Sequence, residues 1–340
     1  MPTFSPEALC RVAQTILQAL GTPSDVAQLV GDSLVQANIV GHDSHGVIRL
    51  EQYAQFVRQG HVRPEVRPEV SVRRQANAQV DAAHGWGQPA ARLATQTAIE
   101  LAMENGVGAV TIVRCGHVGR LGEYVEMIAN AGLIGMALCN AGPSVAPYGG
   151  YKPLMGTNPI AWSVPRGAGQ PPLIVDFATA GVAEGKLRVS RAKGEQVAAG
   201  LVVDSAGRPS QDPAAFYAGG ALLPFGGHKG YGISVMIELL GGALSGNGTS
   251  AMSGESGSNG TLLLAFNIES FVSPEQFLEQ TNDLCEQIKA SPPAEGFAEI
   301  LLPGEPEIRE RKRRLEAGIS IPDQTWREIE ALAVGLNVTV

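Results

Sequence analysis

A hydroxyl, an imidazole and a guanidinium fall within nine residues of this chain, in Gly41-His42-Asp43-Ser44-His45-Gly46-Val47-Ile48-Arg49. A guanidinium grips a carboxylate with two parallel N–H bonds, and an imidazole gives or takes a proton near neutral pH. Together these groups suit binding a small carboxylate and moving a proton at a neighbouring oxygen. Val47, Leu50, Ala54 and Val57 follow at helical spacing. That spacing predicts that the packet sits where a loop enters a helix, with Asp43 or Ser44 as the N-cap. Ser44 and His45 then lie at the helix mouth, and Arg49, one turn on, faces the same cavity. The plain alternative is a capped turn with no chemistry. Two other chemistries fail on spacing. His42 stands where a Gly-x-Ser-x-Gly hydrolase elbow needs its first glycine. His61, His84, His117 and His228 are too scattered to complete a metal set with His42 and His45.

Further segments read as backbone shaped to receive a ligand. Cys115-Gly116-His117-Val118-Gly119-Arg120-Leu121-Gly122 follows a buried strand at 107–113 and opens a helix over about 123–131, whose N-terminus suits an anion. Residues 140–165 are rich in Gly and Pro, including Tyr148-Gly149-Gly150 and Gly156-Thr157-Asn158-Pro159, and read as a loop bent around something bound. A strand over 173–179 ends in polar atoms and leads to a short helix with Gly185, Lys186 and Arg188. Phe225-Gly226-Gly227-His228-Lys229-Gly230-Tyr231-Gly232 introduces an apolar helix over 233–244. No Gly-x-Gly-x-x-Gly or Gly-x-x-x-x-Gly-Lys-Ser/Thr is present, so a dinucleotide would not be held in the Rossmann manner.

Length and composition bound what can carry these groups. At 340 residues, two or three lobes or one large domain with an insertion are admissible. The longest apolar run, 232–246, is shorter than a membrane span and contains Glu238. A net charge of −8 argues against nucleic acid, and any acid that binds must be recruited by local cations. The four cysteines are far apart, and no basic-then-apolar segment opens the chain, so the cytoplasm is the expected compartment. Ser5-Pro6-Glu7 and Thr22-Pro23-Ser24-Asp25 open two amphipathic helices ending at Gly21 and Gly41, which deliver the reactive packet. Residues 69–73 and 78–82 alternate as a hairpin, 88–103 reads as a helix, and 133–139 and 261–266 as strands. A hairpin turns at Asp204-Ser205-Ala206-Gly207, and residues 246–260 read as a mobile loop. Ser273 caps a helix reaching about residue 290, 302–307 is a loop, and the basic run 309–314 is a solvated helix face.

Six segments occur in the order seen in the malate/L-lactate dehydrogenase-like family, NAD(P)-dependent oxidoreductases unrelated to the Rossmann-fold lactate dehydrogenases. They are Gly41-His42-Asp43-Ser44-His45-Gly46, Gly116–Gly122, Gly156-Thr157-Asn158-Pro159, Val175-Asp176-Phe177-Ala178-Thr179, His228-Lys229-Gly230-Tyr231-Gly232 and Leu302-Pro303-Gly304-Glu305. The chain resembles that family over nearly its whole length, and most of all its hydroxycarboxylate dehydrogenases. The resemblance implies an α/β fold, a mixed sheet with helices. Residues 1–65 together with 305–340 would form a helical dimerisation and substrate domain, and 66–304 a cofactor-binding domain with an inserted lobe around 120–190. A homodimer would help close the site. The implied reaction is hydride transfer between NAD(P)H and C2 of a 2-oxoacid or 2-hydroxyacid, with His45 as proton donor beside Ser44 and Arg49. His117 matches a position with a catalytic role in the ureidoglycolate branch, and Thr157 and Tyr148 would meet the substrate. Cofactor contacts are implied at His45, Gly119, Arg120, Leu121, Ile174, Val175, Asp176, Phe177, Ala178, His228, Lys229, Gly304, Glu305 and Pro306. NAD is expected over NADP, although Lys186, Arg188, Arg191 and Lys193 could supply a phosphate partner. Ala180-Gly181-Val182 departs from the family where a serine is common. The alternatives are a reductase of a cyclic imino acid and a non-catalytic binding protein on the same fold.

Overall fold

Ser5 does what a residue before Pro6 should. In the computed structural model its hydroxyl accepts from the Ala8 N–H, and a proline in the first turn forfeits no helical bond. The model describes residues 1–167, 169–252 and 259–340. A short strand β1 (Thr3–Phe4) precedes α1 (Pro6–Ala19) and α2 (Ser24–Ile39). The capping signature expected at Thr22 is not used, and Pro23 stands at the cap with no side-chain bond. Thr22 Oγ1 instead accepts from the Trp86 indole N–H at 3.1 Å. The reactive packet is not a capped loop either. It folds as two successive 3-10 turns, Asp43–His45 and Val47–Arg49, before α3 (Leu50–Arg58), so neither Asp43 nor Ser44 caps the helix.

Next come β2 (Glu69–Arg73), β3 (Asn77–Asp81), α4 (Gly87–Asn105), β4 (Val107–Val113), α5 (Leu121–Asn130) and β5 (Ile134–Cys139). The segment 140–165 is not loop throughout, because its end is strand β6 (Pro159–Val164), which pairs with β5 and with β7 (Leu173–Ala178). After α6 (Glu184–Lys193), the strands β8 (Val202–Val203) and β9 (Pro209–Ser210), helix α7 (Ala214–Tyr217) and β10 (Ala221–Leu222) build a small three-stranded sheet with the expected turn at Asp204 to Gly207. Helix α8 (His228–Ile237) begins five residues earlier than the apolar spacing suggested, and Glu238–Ala243 continues it as a π-helix. Strand β11 (Thr261–Phe266), α9 (Pro274–Ala290), α10 (Glu305–Ala317), β12 (Ile319–Ser320) and α11 (Asp323–Gly335) complete the chain. Glu305 and Pro306, read as loop, are the first turn of α10. Of the glycine-rich stretch 246–260, residues 253–258 lie outside the described residues.

The main sheet has the order β2-β3-β4-β11-β5-β6-β7, and every pairing but β3 with β4 is antiparallel. Alternation along β11 sorts its two faces. Leu263 and Ala265 join the core under α4 and α5, with Ala94, Ala98, Val110, Tyr124 and Ile128. Leu262 and Leu264 join Ile160, Ile233 and Ile237 under α8. The helices α4 and α5 therefore cover one face of the sheet and α8 the other, giving the mixed α/β architecture that the resemblance implied. A separate apolar cluster ties α1, α2 and α3 to Ile319, Ile329 and Leu332 near the other end of the chain. Val145, Met155, Ala180, Leu187, Val202 and Leu222 form another under the small sheet. No helix is long and apolar enough to cross a membrane among the described residues.

Candidate active site

Asn38, near the end of α2, is the post around which the reactive packet winds. Its Nδ2 donates to Asp43 Oδ1 at 2.6 Å and its Oδ1 accepts from Val47 N at 2.9 Å. A Cβ on Gly46 would stand 2.2 Å from Asn38 Oδ1, so glycine is required for that approach. Arg314 of α10 clamps the outside, donating to Asp43 at 2.6 and 2.9 Å and to the Asn38 carbonyl at 2.7 Å. The turn that presents Ser44 and His45 is thus fixed by a helix nearly three hundred residues away in sequence, which is why local capping rules misread it.

Within this frame Ser44 Oγ lies 3.1 Å from His45 Nδ1. The His45 ring stacks on that of His117, with centroids 5.5 Å apart and planes 18° from parallel. Arg49 Nε donates to the Ser44 carbonyl at 2.6 Å and Nη1 to Gln52 at 2.7 Å. Tyr53, one turn beyond Arg49 on α3, places its hydroxyl 2.9 Å from His117 Nδ1 and receives Gln88 Nε2 at 2.6 Å. Burial, reinforced by Arg49, His42 and Arg120, pushes the His45 pKa down to about 3. His117 is driven well below its ordinary range by burial, then by Arg49 and His45. Both imidazoles are therefore neutral at pH 7, beside a guanidinium that stays charged although burial lowers its pKa too. The 6.5 typical of an unperturbed histidine does not apply to His45.

A second group of expected residues gathers beside this one. Gly119 and Leu121 are buried at the mouth of α5, where Gly122 N donates to Asp176 Oδ2 at 2.7 Å. Ile174, Val175, Asp176, Phe177 and Ala178 are all half-buried along β7, the open edge of the sheet. Gly304, at φ +91°, lies against that strand, and a Cβ there would come within 3.3 Å of Ile174 N. Glu305 and Pro306 start α10, whose Glu307 reaches His42 Nε2 at 3.2 Å. Arg120 is only 4% exposed, yet among the described residues its Nε has no hydrogen-bond partner and its one ion pair, to Glu126, is long at 3.4 Å. An under-partnered buried guanidinium at a helix mouth, next to a half-covered edge strand, fits a phosphate-bearing cofactor.

Thr157, Tyr148, His228 and Lys229 form a third group. Thr157 is set by Glu238, a buried carboxylate that accepts from Gly156 N (3.2 Å), Asn158 Nδ2 (2.8 Å), Ser250 N (2.8 Å) and Oγ (2.6 Å), and Asn140 Nδ2 (3.2 Å). Asn158 holds a left-handed φ of +40° and turns the chain so that Thr179 bonds back to the Thr157 carbonyl. Tyr148 is exposed and meets His228 edge-on at 6.0 Å. Phe225 stands against Phe177 of β7 at 5.5 Å. A cleft of about 650 Å³ opens here, lined by Tyr148, Gly181, Leu201, Phe225 and Gly227 among others. None of Ser44, His45, Arg49 or His117 lines it, so chemistry rather than volume locates the candidate site at His45. Among the described residues, no hydrogen bond or ring contact joins Tyr148, His228 or Lys229 directly to those four. Nor does any group of three His, Cys, Asp or Glu sit where it could hold a metal.

Sequence reading missed Tyr53, Gln88, the Asn38 post and the Glu238 hub. Each carried a weak signal, a polar atom in an otherwise apolar stripe. It read α6 only as a possible source of phosphate partners, yet a Cβ on Gly185 would meet Ser44 Cβ at 3.0 Å.

Comparison with known proteins identifies the family and the fold. Residues 4–330 match the model of the malate/L-lactate dehydrogenase family. L-Sulfolactate dehydrogenase of Methanothermobacter thermautotrophicus is 34% identical over 99% of this chain and 98% of its own. Hydroxycarboxylate dehydrogenase B of Escherichia coli K12 is 35% identical over 96% and 92%. The solved structure of Δ1-piperideine-2-carboxylate reductase from Pseudomonas syringae superposes with a TM-score of 0.88 at 32% identity, covering 98% of this chain and all of that one. With the mixed sheet, the clamped Ser44-His45 turn and a match from end to end, the chain belongs to the malate/L-lactate dehydrogenase family.

Proposed function

We propose that this member of a hydroxyacid dehydrogenase family interconverts a 2-oxoacid and its 2-hydroxyacid with a nicotinamide cofactor, using His45 to move the proton. The observation that carries this reading is the neutral His45–His117 stack beside the charged Arg49, with Ser44 Oγ on the His45 ring. When bound, the nicotinamide supplies hydride chemistry. Gly119 to Leu121, the strand Ile174–Ala178, Gly304 to Pro306 and His228-Lys229 are the groups we assign to holding it. Arg49 grips the substrate carboxylate, and that negative charge offsets the guanidinium's repulsion of an imidazolium at His45. His45 then delivers its proton to the C2 oxygen during reduction and takes it back during oxidation. Thr157 and Tyr148 are assigned to the rest of the substrate.

NAD is the proposed cofactor. Arg188 is held by Glu184 at 3.0 Å, Arg191 lies 4.6 Å over the Tyr217 ring and Lys193 faces Glu195. Three of the four cations that could meet a 2′-phosphate are thus engaged within or beside α6, with Lys186 the fourth, and this supports a cofactor with a free 2′-hydroxyl. Residues 1–65 with 305–340 are proposed as the substrate and dimerisation unit and 66–304 as the cofactor unit. The deciding experiment follows nicotinamide absorbance over a panel of 2-oxoacids and cyclic imino acids with NADH and NADPH. Turnover of an oxoacid with NADH supports the reading. Turnover of cyclic imino acids alone makes the chain an imino-acid reductase like its Pseudomonas structural relative, and no turnover at all leaves a binding protein on the same fold.

A further inference from the structure

Tyr53 and Gln88 lie behind His117 and are more deeply buried than it. Tyr53 is 1% exposed and Gln88 fully buried. A phenol has one proton to give. Its oxygen here receives the Gln88 amide N–H at 2.6 Å and faces His117 Nδ1 at 2.9 Å, so that one proton goes to Nδ1. Nδ1 is then an acceptor, and a neutral imidazole that accepts at one nitrogen carries its proton on the other. We propose that Gln88 and Tyr53 are positioning residues that lock His117 as its Nε2–H tautomer, so that it presents a fixed hydrogen-bond donor to the substrate oxygen.

The direction of the chain is set at Gln88. With Nε2 toward Tyr53, Oε1 is buried without a partner. The reversed amide would strand an NH2 group there instead, and buried N–H groups go unpaired less often than carbonyls do. Neither proton shifts along the chain at neutral pH. Burial holds the Tyr53 phenol above its ordinary range and His117 far below its own. The parts are also held in register through backbone. Gly87 begins α4 so close to His117 that a Cβ on it would stand 2.3 Å from the His117 carbonyl oxygen, and the Tyr53 ring packs on Trp86 at 5.2 Å. His117 Nε2 itself has no partner among the described residues.

This arrangement divides labour between two stacked imidazoles. The partner of His45 is a serine hydroxyl, which donates or accepts with equal ease, so His45 is free to exchange tautomers as a proton-transferring group must. The partner of His117 is a phenol whose direction is dictated by an amide, so His117 is fixed. What the fixed donor points at rests on the function proposed above, but the tautomer is a property of the resting protein.

The test is a long-range ¹H–¹⁵N correlation spectrum of the full-length resting enzyme labelled at histidine, with a His117→Gln variant identifying the His117 signals. The Nε2–H pattern is expected in the wild type. Tyr53→Phe and Gln88→Leu should turn it into a tautomer mixture, and should lower kcat by about tenfold to a hundredfold, with KM for the oxoacid within about threefold, because one donor to the developing oxyanion is loosened. A wild-type His117 in the Nδ1–H form, or folded variants that keep a pure Nε2–H signal, would overturn the proposal. An Nε2–H signal in a protein that turns over no oxoacid would instead defeat the functional reading and leave this one standing.

Discussion

His45 is neutral in the resting site because burial, reinforced by Arg49, His42 and Arg120, opposes its charge. Two consequences follow at the scale of the residue. Removing the proton carrier by His45→Ala should lower turnover by roughly 10²- to 10⁴-fold, the usual worth of a positioned acid, and steady-state kinetics within about threefold of wild type would refute the role. The second concerns pH. With a free-enzyme pKa of about 3, the imidazolium is scarce across the neutral range. The kcat/KM for reduction should therefore fall as pH rises, by roughly tenfold per unit between pH 6 and 8, whereas a plateau breaking near 6.5 would mean that burial does not act on His45 as described. Arg49→Lys keeps the charge but loses the fork, and because Arg49 also holds the Ser44 carbonyl the substitution disturbs both substrate and turn. A drop of about tenfold or more in kcat/KM is expected, and an unchanged value would remove Arg49 from the site. Ser44, His45 and Arg49 were legible in the sequence because three reactive groups in nine residues are uncommon. Tyr53 and Gln88 were not, because a polar residue in an apolar stripe declares its partner only when a second helix is packed against it.

Among the elements, the π-helical continuation of α8 matters most. An extra residue in that turn accompanies Glu238, whose carboxylate gathers five donors from three segments of chain. From sequence Glu238 was only the charge that interrupted an apolar run, since neither its donors nor the π-turn leave a local signature. Glu238→Ala would strand those donors in a buried place, at a cost of about 3–5 kcal/mol. Denaturant titration should show the midpoint falling accordingly, and an unaltered midpoint would mean that the hub is not structural. Periodicity found most strands and helices because each has one buried face. It missed β6, whose proline start and flanking glycines look like loop, and it misjudged the start of α10, where Glu305 and Pro306 are a first helical turn rather than a linker.

For the molecule as a whole, the opposite side of α8 poses a question of solvation. Met236 is 51% exposed, Leu239 48% and Leu244 60%, along one side of α8 and its continuation. An apolar helix side left open in this way marks an interaction surface. We propose that a second copy of the chain covers it, this side of α8 adding to the dimer contact assigned to residues 1–65 with 305–340. Light scattering at micromolar concentration should report twice 35.5 kDa or a multiple of that. Leu239→Lys should shift the mass to the monomer, and a wild-type monomer that is fully active would refute the assembly. The fold class was readable from the order of six motifs, but the sheet order was not, because strand neighbours are chosen by long-range pairing rather than by any property of the strands themselves.

That sheet order bears on how the protein comes into being. Strands β4 and β5 are close in sequence, yet they never touch, and the strand that fills the gap between them, β11, is made more than a hundred residues later. Until residues 261–266 leave the ribosome, the edges of both earlier strands are bare, with hydrogen-bonding groups open to any passing chain. Folding of the nascent protein must therefore wait for its last third, and the contacts that finally close the sheet span a long loop and form slowly. During that interval the newborn chain depends on whatever in its surroundings keeps an unfinished sheet from finding the wrong partner.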